Sequence, residues 1–276
     1  MLSPTPAGTA LPDYLAGLAH VWRAGELGDA SLQTVQTGYT SLNAALPGGG
    51  WPQGVLIEVL LPQSGVHEWG LVAPALAALA SSGQPAGPMM VLVGAPHRPF
   101  GPALGARKLD MRRMLCVQAA GGDAPEMLWA TREALQCADV GSVLAWLPDA
   151  RSAHLRRLQI AAHAHNKLLF VFRPLRAQQE SSPAPLRLLL EGTVSDAGNL
   201  LVNVFKRSGP PLAHGVLLDT RPDKLSALLA ASRERAHRRR EELARLAPAY
   251  RVSLPVTSPQ SHVHALLDRI AHPAHP

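Results

Sequence analysis

The stretch TGYTSLNAALPGGGWPQGVLIEVLLPQSGVHEWGL, residues 37–71, carries the features that decide the fold. A short helical pattern leads to three glycines, Gly48–Gly50, then to the apolar run VLIEVLL at 55–61 and to a helical pattern from about 66 to 82. A buried strand that passes through a glycine-containing turn into a helix is typical of α/β proteins. We therefore expect this stretch to enter a sheet whose strands are joined by helices.

The same alternation continues to Pro174. Helical patterns separate further apolar runs at 89–94, 114–117, 142–147 and 167–173. This order predicts a mostly parallel central sheet with helices on both faces. Three strand-like runs then follow with only turn residues between them, at 186–192, 199–207 and 214–220. They predict an antiparallel C-terminal extension of the sheet.

Three regions follow from these patterns. Residues 1–36 are predicted to form an N-terminal leader and a short helix that includes Trp22, and residues 37–220 a core domain. Residues 221–276 are predicted to form a basic helix, from Asp223 to about Leu246, and a partly disordered tail rich in proline and histidine.

The composition and the terminal sequence argue against a secreted, disulfide-rich or membrane protein. The chain has 276 residues, 47% of them hydrophobic, and a formal net charge of +6. The positive charge suits a polyanion or an acidic protein partner. The N-terminal MLSPTPAGTA lacks the apolar core of a secretory signal, the two cysteines Cys116 and Cys137 suggest no disulfide framework, and no apolar run is long enough to span a bilayer. We expect a cytoplasmic protein without membrane contact.

The turn after the first core strand departs from a phosphate-binding loop. Such a loop needs glycines whose N–H groups converge on phosphates, a lysine that reaches them, and a hydroxyl on magnesium. In LPQSGVHEWGL, Leu61 and Val66 take the glycine positions, His67 the lysine position and Glu68 the hydroxyl position. A carboxylate there repels phosphates. The predicted degenerate nucleotide loop comprises Leu61, Ser64, Gly65, Val66, His67 and Glu68.

Three segments resemble the core of the RecA recombinase: 37–65, GARKLDMRRMLCVQ at 105–118, and LLFVFRPLR at 168–176. The WPQG after the glycines, together with the degenerate loop, is most similar to the ImuA family, RecA/SulA-like proteins of bacterial mutagenesis operons. The resemblance covers roughly residues 20–220. It implies a RecA-like core for the predicted sheet.

The resemblance also implies that the nucleotide site has lost its other functional groups. The acidic residue that would activate water falls on Pro96, and the one that would organise magnesium falls on Trp146, with Asp149 three residues late. The polar sensor falls on Pro174, which has neither a side-chain amide nor a backbone N–H. We expect a fold that is retained without its chemistry.

Two further regions match parts of the recombinase that contact DNA or a neighbouring subunit. The polar segment RAQQESSPAP at 176–185 stands where the DNA-binding loop would lie, but it is short and lacks that loop's glycine- and threonine-rich character. Lys206 and Arg207 match a basic pair that reaches a neighbour's nucleotide. In this chain they are either surface charges or the remnant of a subunit or nucleic-acid contact.

The basic helix is the strongest sequence feature that suggests interaction. Leucines and alanines form an interrupted apolar stripe, while arginines of RERAHRRR crowd the polar side. The helix is either a solvated cationic face or a docking element for a protein partner or DNA backbone. The predicted contact residues of the chain are Trp22, Lys206, Arg207, Arg233, Arg235, Arg238, Arg239 and Arg240.

Other chemistries have little support in the sequence. His154, His163 and His165 have no accompanying cysteines or carboxylates at metal-ligand spacing. Ser64 lies in a strand-to-helix turn, but the flanking pattern is not that of a serine nucleophile. We expect no catalytic residue, no metal and no cofactor.

The resemblance implies a function in translesion DNA synthesis during SOS mutagenesis. The partners implied are an ImuB-type Y-family polymerase homologue and an error-prone DNA polymerase III alpha-type subunit, with RecA and DNA as further contacts. Two alternatives remain: an ATPase with a degenerate nucleotide site in DNA repair, around Ser64–Glu68, and a SulA-like inhibitor of cell division. A test of nucleotide binding distinguishes the ATPase from an assembly protein. The identity of the bound partner distinguishes the SulA-like inhibitor from a protein of translesion synthesis.

Overall fold

The computed structural model describes residues 33–81, 87–119, 123–193 and 198–246. In these ranges the strands are β1 (Thr34–Val35), β2 (Trp51–Pro52), β3 (Leu56–Leu61), β4 (Met89–Val93), β5 (Met114–Val117), β6 (Val140–Trp146), β7 (Leu168–Pro174), β8 (Leu186–Gly192), β9 (Asn199–Lys206) and β10 (Val216–Asp219). The helices are α1 (Thr40–Ala45), α2 (Glu68–Ala80), α3 (Gly101–Ala106), α4 (Ala124–Gln136), α5 (Ser152–Ala164) and α6 (Asp223–Leu246). Trp22 and the tail after Leu246 lie outside the described residues.

Eight of these strands form one sheet in the order β10-β9-β8-β3-β7-β6-β4-β5. The six strands from β8 to β5 pair in parallel, whereas β9 and β10 pair antiparallel beyond β8. The predicted mostly parallel sheet and its antiparallel C-terminal extension are therefore confirmed. The arrangement is α/β and consistent with a RecA-like core.

The core has two apolar layers, one on each face of the sheet. Alternate residues of a strand point to opposite faces, so Ile57 packs in the layer that contains Leu71 of α2, and Leu56 packs in the layer that contains Leu135 of α4 and Leu155 of α5. Each of these side chains is at most 2% exposed. The predicted helices on both faces are confirmed by these layers.

Local differences from the sequence prediction have local causes. The pattern between the apolar runs at 89–94 and 114–117 predicts a helix near 101–109. The helix ends at Ala106, and Lys108 adopts a positive φ of 65°, which a helix does not allow. The glycines at 48–49 lie in a 3-10 turn, Pro47–Gly49, in which Gly48 has a φ of 75°. The polar segment after β7 begins with a 3-10 helix, Leu175–Gln179, rather than with open loop.

The chain divides into two compact units between Pro222 and Asp223. The first holds the sheet, and the described part of the second is α6 alone. No helix in the described ranges combines the length and the apolar character that a bilayer crossing requires.

Candidate functional site

The loop between β3 and α2 is the site that the sequence singles out. Leu61 ends β3 and is buried, whereas the Val66 side chain is 53% exposed. Gly65 adopts a φ of +89°, and a Cβ atom on it would lie 2.4 Å from the His97 ring. Position 65 therefore requires glycine, because other residues rarely adopt this backbone angle and because a Cβ atom would collide with the His97 ring.

The Glu68 carboxylate occupies the inside of this loop. The backbone N–H of Gly65 donates to Glu68 Oε1 at 2.6 Å, and the backbone N–H of His67 donates to Oε2 at 3.0 Å. Glu68 is the first residue of α2 and is 1% exposed. Its negative charge lies at the positive end of the helix dipole, where an anion is stabilised.

This arrangement places an anion where a phosphate-binding loop receives its ligand. Convergent N–H groups at a helix N-terminus form an anion-binding site. In this chain two such groups, on Gly65 and His67, are already bound by a carboxylate of the same chain. A phosphate would have to displace that carboxylate and overcome its charge. The backbone N–H groups of the loop are therefore arranged as in an anion-binding site, but the Glu68 side chain already accepts their hydrogen bonds.

Trp146 closes the same site from the sheet. It is the last residue of β6, and its indole Nε1–H donates to Glu68 Oε1 at 2.9 Å. The indole stacks on Phe172 of β7, with ring centroids 4.8 Å apart. Where the resemblance implies an acidic residue for magnesium, the chain has a hydrogen-bond donor that holds a carboxylate in place.

The other positions assigned from the resemblance lie around the same loop or on the surface nearby. Pro96 lies beside Gly65 in the turn after β4, and Pro174 is the last residue of β7. Asp149 pairs with Arg176 at 2.9 Å on the exposed surface. The His67 ring packs closely against Gly192 of β8. A Cβ atom added to Gly192 would lie 2.6 Å from His67 Nε2.

A buried ionic cluster lies farther along β3. Arg173 Nη1 donates to Glu58 Oε1 at 2.9 Å, and Arg187 Nε donates to Oε2 at 2.7 Å. Glu58 is 0% exposed, Arg173 1% and Arg187 7%. The three side chains come from neighbouring strands β7, β3 and β8, and the pairing of two cations with one carboxylate makes burial of that charge tolerable. We did not predict this cluster from the sequence.

The cluster holds the segment at 176–185. Arg187 Nη2 donates to the Ala177 carbonyl at 2.8 Å, and Arg173 Nη2 donates to Glu180 Oε2 at 2.6 Å. This contact with Arg173 lowers the pKa of the Glu180 carboxyl below its ordinary value. The segment that the resemblance places at a DNA-binding loop is therefore anchored at several points to the centre of the sheet.

Lys206 and Arg207 also bind within the chain. Lys206 Nζ donates to the Ser182 carbonyl at 2.9 Å, and burial lowers the pKa of this ammonium group. Arg207 Nε donates to the Pro210 carbonyl at 2.7 Å, and its Nη1 donates to the Ala45 carbonyl. These contacts favour the interpretation of both residues as local surface structure.

The helix α6 presents two different surfaces. Positions spaced alternately four and three residues apart form a stripe that carries Leu225, Leu229, Ala236 and Leu243, with Leu229 half-buried and the others exposed. Ser232 and Arg239 interrupt this stripe. Arg239 was expected on the polar side, but helical geometry places it in line with the leucines. Away from the apolar stripe of α6, Arg238 pairs with Glu234 at 2.9 Å and His237 lies 3.2 Å from Glu241.

The remaining predicted contact residues lie on this helix, and their side chains are exposed: Arg233, Arg235 and Arg240. Among the residues described, no group of three or more histidine, cysteine, aspartate or glutamate side chains is arranged to hold a metal ion. No protein-family model matches the chain, and no curated protein matches it significantly.

Proposed function

We propose that this chain is a non-catalytic, RecA-like accessory protein of translesion DNA synthesis in the SOS mutagenesis response. It assembles with an ImuB-type Y-family polymerase homologue and, through that protein, with an error-prone polymerase III alpha-type subunit. The proposal rests on the recombinase-like segments 37–65, 105–118 and 168–176, and on the state of the loop that follows β3.

The single observation that carries the non-catalytic part is the Glu68 carboxylate inside the phosphate-binding loop. It is buried and accepts hydrogen bonds from Gly65, His67 and Trp146. ATP would have to break these bonds and place its own charge beside that of Glu68. No lysine stands at position 67 to compensate. This supports a protein that uses the recombinase fold as a framework for assembly.

The helix α6 supports assembly through a partner helix. Leu225, Leu229, Ala236 and Leu243 occupy positions of a coiled-coil seam with four-three spacing, in which Ser232 is a polar member. Arg239 lies within the seam, and the same register places Arg235 and Arg240 on its flanks. In a parallel pair of two copies, Arg239 would face its counterpart and Arg235 would face Arg240. Like charges at these positions favour an acidic partner helix over self-association.

The test is complex formation between the purified full-length chain and an ImuB-type polymerase homologue, followed by size-exclusion chromatography and titration. The chain with Arg235→Glu and Arg240→Glu is expected to bind at least about tenfold more weakly. The matched control carries Arg98→Glu and Arg156→Glu, the same charge change at exposed positions of the core unit. Failure of the wild-type chain to bind any polymerase component contradicts the proposed function. Equal binding by both double variants contradicts the role of α6.

A further inference from the structure

A groove between α4 and α5 has a volume of about 460 Å³, and no function discussed above uses it. Leu158 lies in its lining and is 2% exposed, while Leu128 is half-buried. The volume is within the range of about 300–1,000 Å³ that ligand-binding clefts have. Apolar side chains of a ligand can therefore be buried in it.

Trp129 stands in the same lining with 61% of its surface exposed. A tryptophan contributes a large apolar area, and tryptophan and arginine are enriched among residues that contribute most to binding. Trp51 and Trp146 on the strands are at most 5% exposed, and Trp69 of α2 is half-buried against the core. The exposure of Trp129 thus has no explanation in the packing of the core.

The charged residues around the groove are mainly cationic. Arg132, Arg151 and Arg157 line it, and the carboxylate in the lining, Asp149, pairs with Arg176 at 2.9 Å. His154 also lies in the lining, and its Nδ1 accepts a hydrogen bond from the backbone N–H of Arg151. Arg132 pairs with the adjacent Glu133 at the surface. Among the described residues, Arg157 forms no ion pair. A negatively charged ligand complements this rim.

We propose that the α4/α5 groove binds a short acidic peptide segment of a partner protein, with an aromatic or leucine side chain in the apolar lining. Carboxylates of the segment pair with Arg157 and its cationic neighbours. Bases of single-stranded DNA can stack on Trp129, but they do not fill the apolar space beside Leu128 and Leu158 as a leucine or aromatic side chain of a peptide does. The apolar lining therefore favours a peptide. This inference does not depend on the proposed role in translesion synthesis.

The test uses the full-length chain and random peptides displayed on phage, followed by fluorescence anisotropy with the peptides recovered. We expect them to be enriched in aspartate or glutamate together with an aromatic residue or leucine. Trp129→Ala and Arg157→Glu are each expected to weaken their binding about tenfold or more. The matched controls, Ile160→Ala and Arg156→Glu, change exposed residues of α5 that do not line the groove, and should leave binding unchanged.

Three outcomes overturn the proposal. The first is a selection that enriches no peptide, or only peptides without acidic residues. The second is binding that the Trp129→Ala and Arg157→Glu variants retain. The third is tighter binding of a thymidine oligonucleotide that the same two variants lose, which would assign the groove to single-stranded nucleic acid. Circular dichroism of each variant establishes that it is folded before binding is compared.

Discussion

The Trp146 indole donates a hydrogen bond to the Glu68 carboxylate across the buried end of the parallel sheet, over 2.9 Å between Nε1 and Oε1. The resemblance to the recombinase core assigns the position of Trp146 to a magnesium-organising acid and that of Glu68 to a magnesium-binding hydroxyl. In this chain the two residues bind each other. The positions that the resemblance assigns to a ligand site are part of an internal hydrogen-bond network.

Replacement of Glu68 by alanine is expected to reduce the free energy of unfolding by about 2–4 kcal/mol. The buried indole N–H loses a charged acceptor, and a hydrogen bond to a charged group contributes about 1.5–3 kcal/mol. The bonds from the two backbone N–H groups are only part-buried, so water can replace much of their contribution. Urea denaturation of the full chain measures the change. Glu126→Ala is the control, because Glu126 also lies in the first turn of a helix but is exposed. Equal losses in the two variants would contradict the role of Glu68.

Replacement of Trp146 by phenylalanine isolates the indole contact. The ring can still stack on Phe172, but the donor to Glu68 is lost. Trp51→Phe is the matched control, since Trp51 is also buried and its Nε1 has no hydrogen-bond partner among the described residues. We expect Trp146→Phe to cost about 1.5–3 kcal/mol more than Trp51→Phe, measured by urea denaturation. A cost no greater than that of Trp51→Phe would show that the hydrogen bond contributes nothing.

The buried cluster predicts a larger effect at Glu58. Glu58→Gln leaves Arg173 and Arg187 without their shared counter-charge, and breaking a buried ion pair typically costs about 3–5 kcal/mol. Glu133→Gln removes an exposed pair with Arg132 and should change stability by less than about 1 kcal/mol. Thermal unfolding compares the two.

The Glu58→Gln variant should also release the segment at 176–185. Limited trypsin digestion, followed by mass spectrometry, is expected to cut after Arg176 faster than in the wild-type chain. An unchanged cleavage rate in a folded variant would show that the cluster does not anchor this segment.

The contact of Glu180 with Arg173 predicts a small dependence of stability on pH. The pKa of Glu180 is lowered in the folded chain by its hydrogen bond with Arg173. Its contribution is therefore present above the unfolded pKa and is lost as the pH falls through the lower, folded pKa. Because the side chain is 47% exposed, the effect is screened and stays below about 1 kcal/mol.

The thermal midpoints of Glu180→Gln and the wild-type chain should accordingly differ at about pH 7, and the difference should shrink as the pH falls through the lowered pKa of Glu180. A difference that persists unchanged in acid would contradict the assignment.

Much of the fold could be predicted because its strands are continuous apolar runs. MLCV at 114–117 and LRLLLEG at 186–192 have the same limits in the sequence prediction and in the structure. Contacts between distant segments could not be predicted in this way. Glu68 and Trp146 are 78 positions apart, and no local pattern indicates their hydrogen bond.

The buried cluster is indicated in the sequence by charged residues that stand within apolar runs. Glu58 stands within VLIEVLL and Arg173 ends FVFR, so each is a charged residue in a run that predicts burial. A buried charge requires a partner of opposite sign. This requirement predicts that Glu58 and Arg173 pair and that their strands are neighbours. Sequence spacing alone could not identify Arg187 as the third member, because the register of β8 beside β3 fixes that contact.

The most direct test of the central claim is a titration of the purified full-length chain with a fluorescent ATP analogue in the presence of magnesium. With the Glu68 carboxylate bound by Gly65, His67 and Trp146, we expect no saturable binding up to millimolar nucleotide. Saturable binding that unlabelled ATP displaces would contradict the account. It would mean that nucleotide displaces Glu68 and that the chain retains a working nucleotide site.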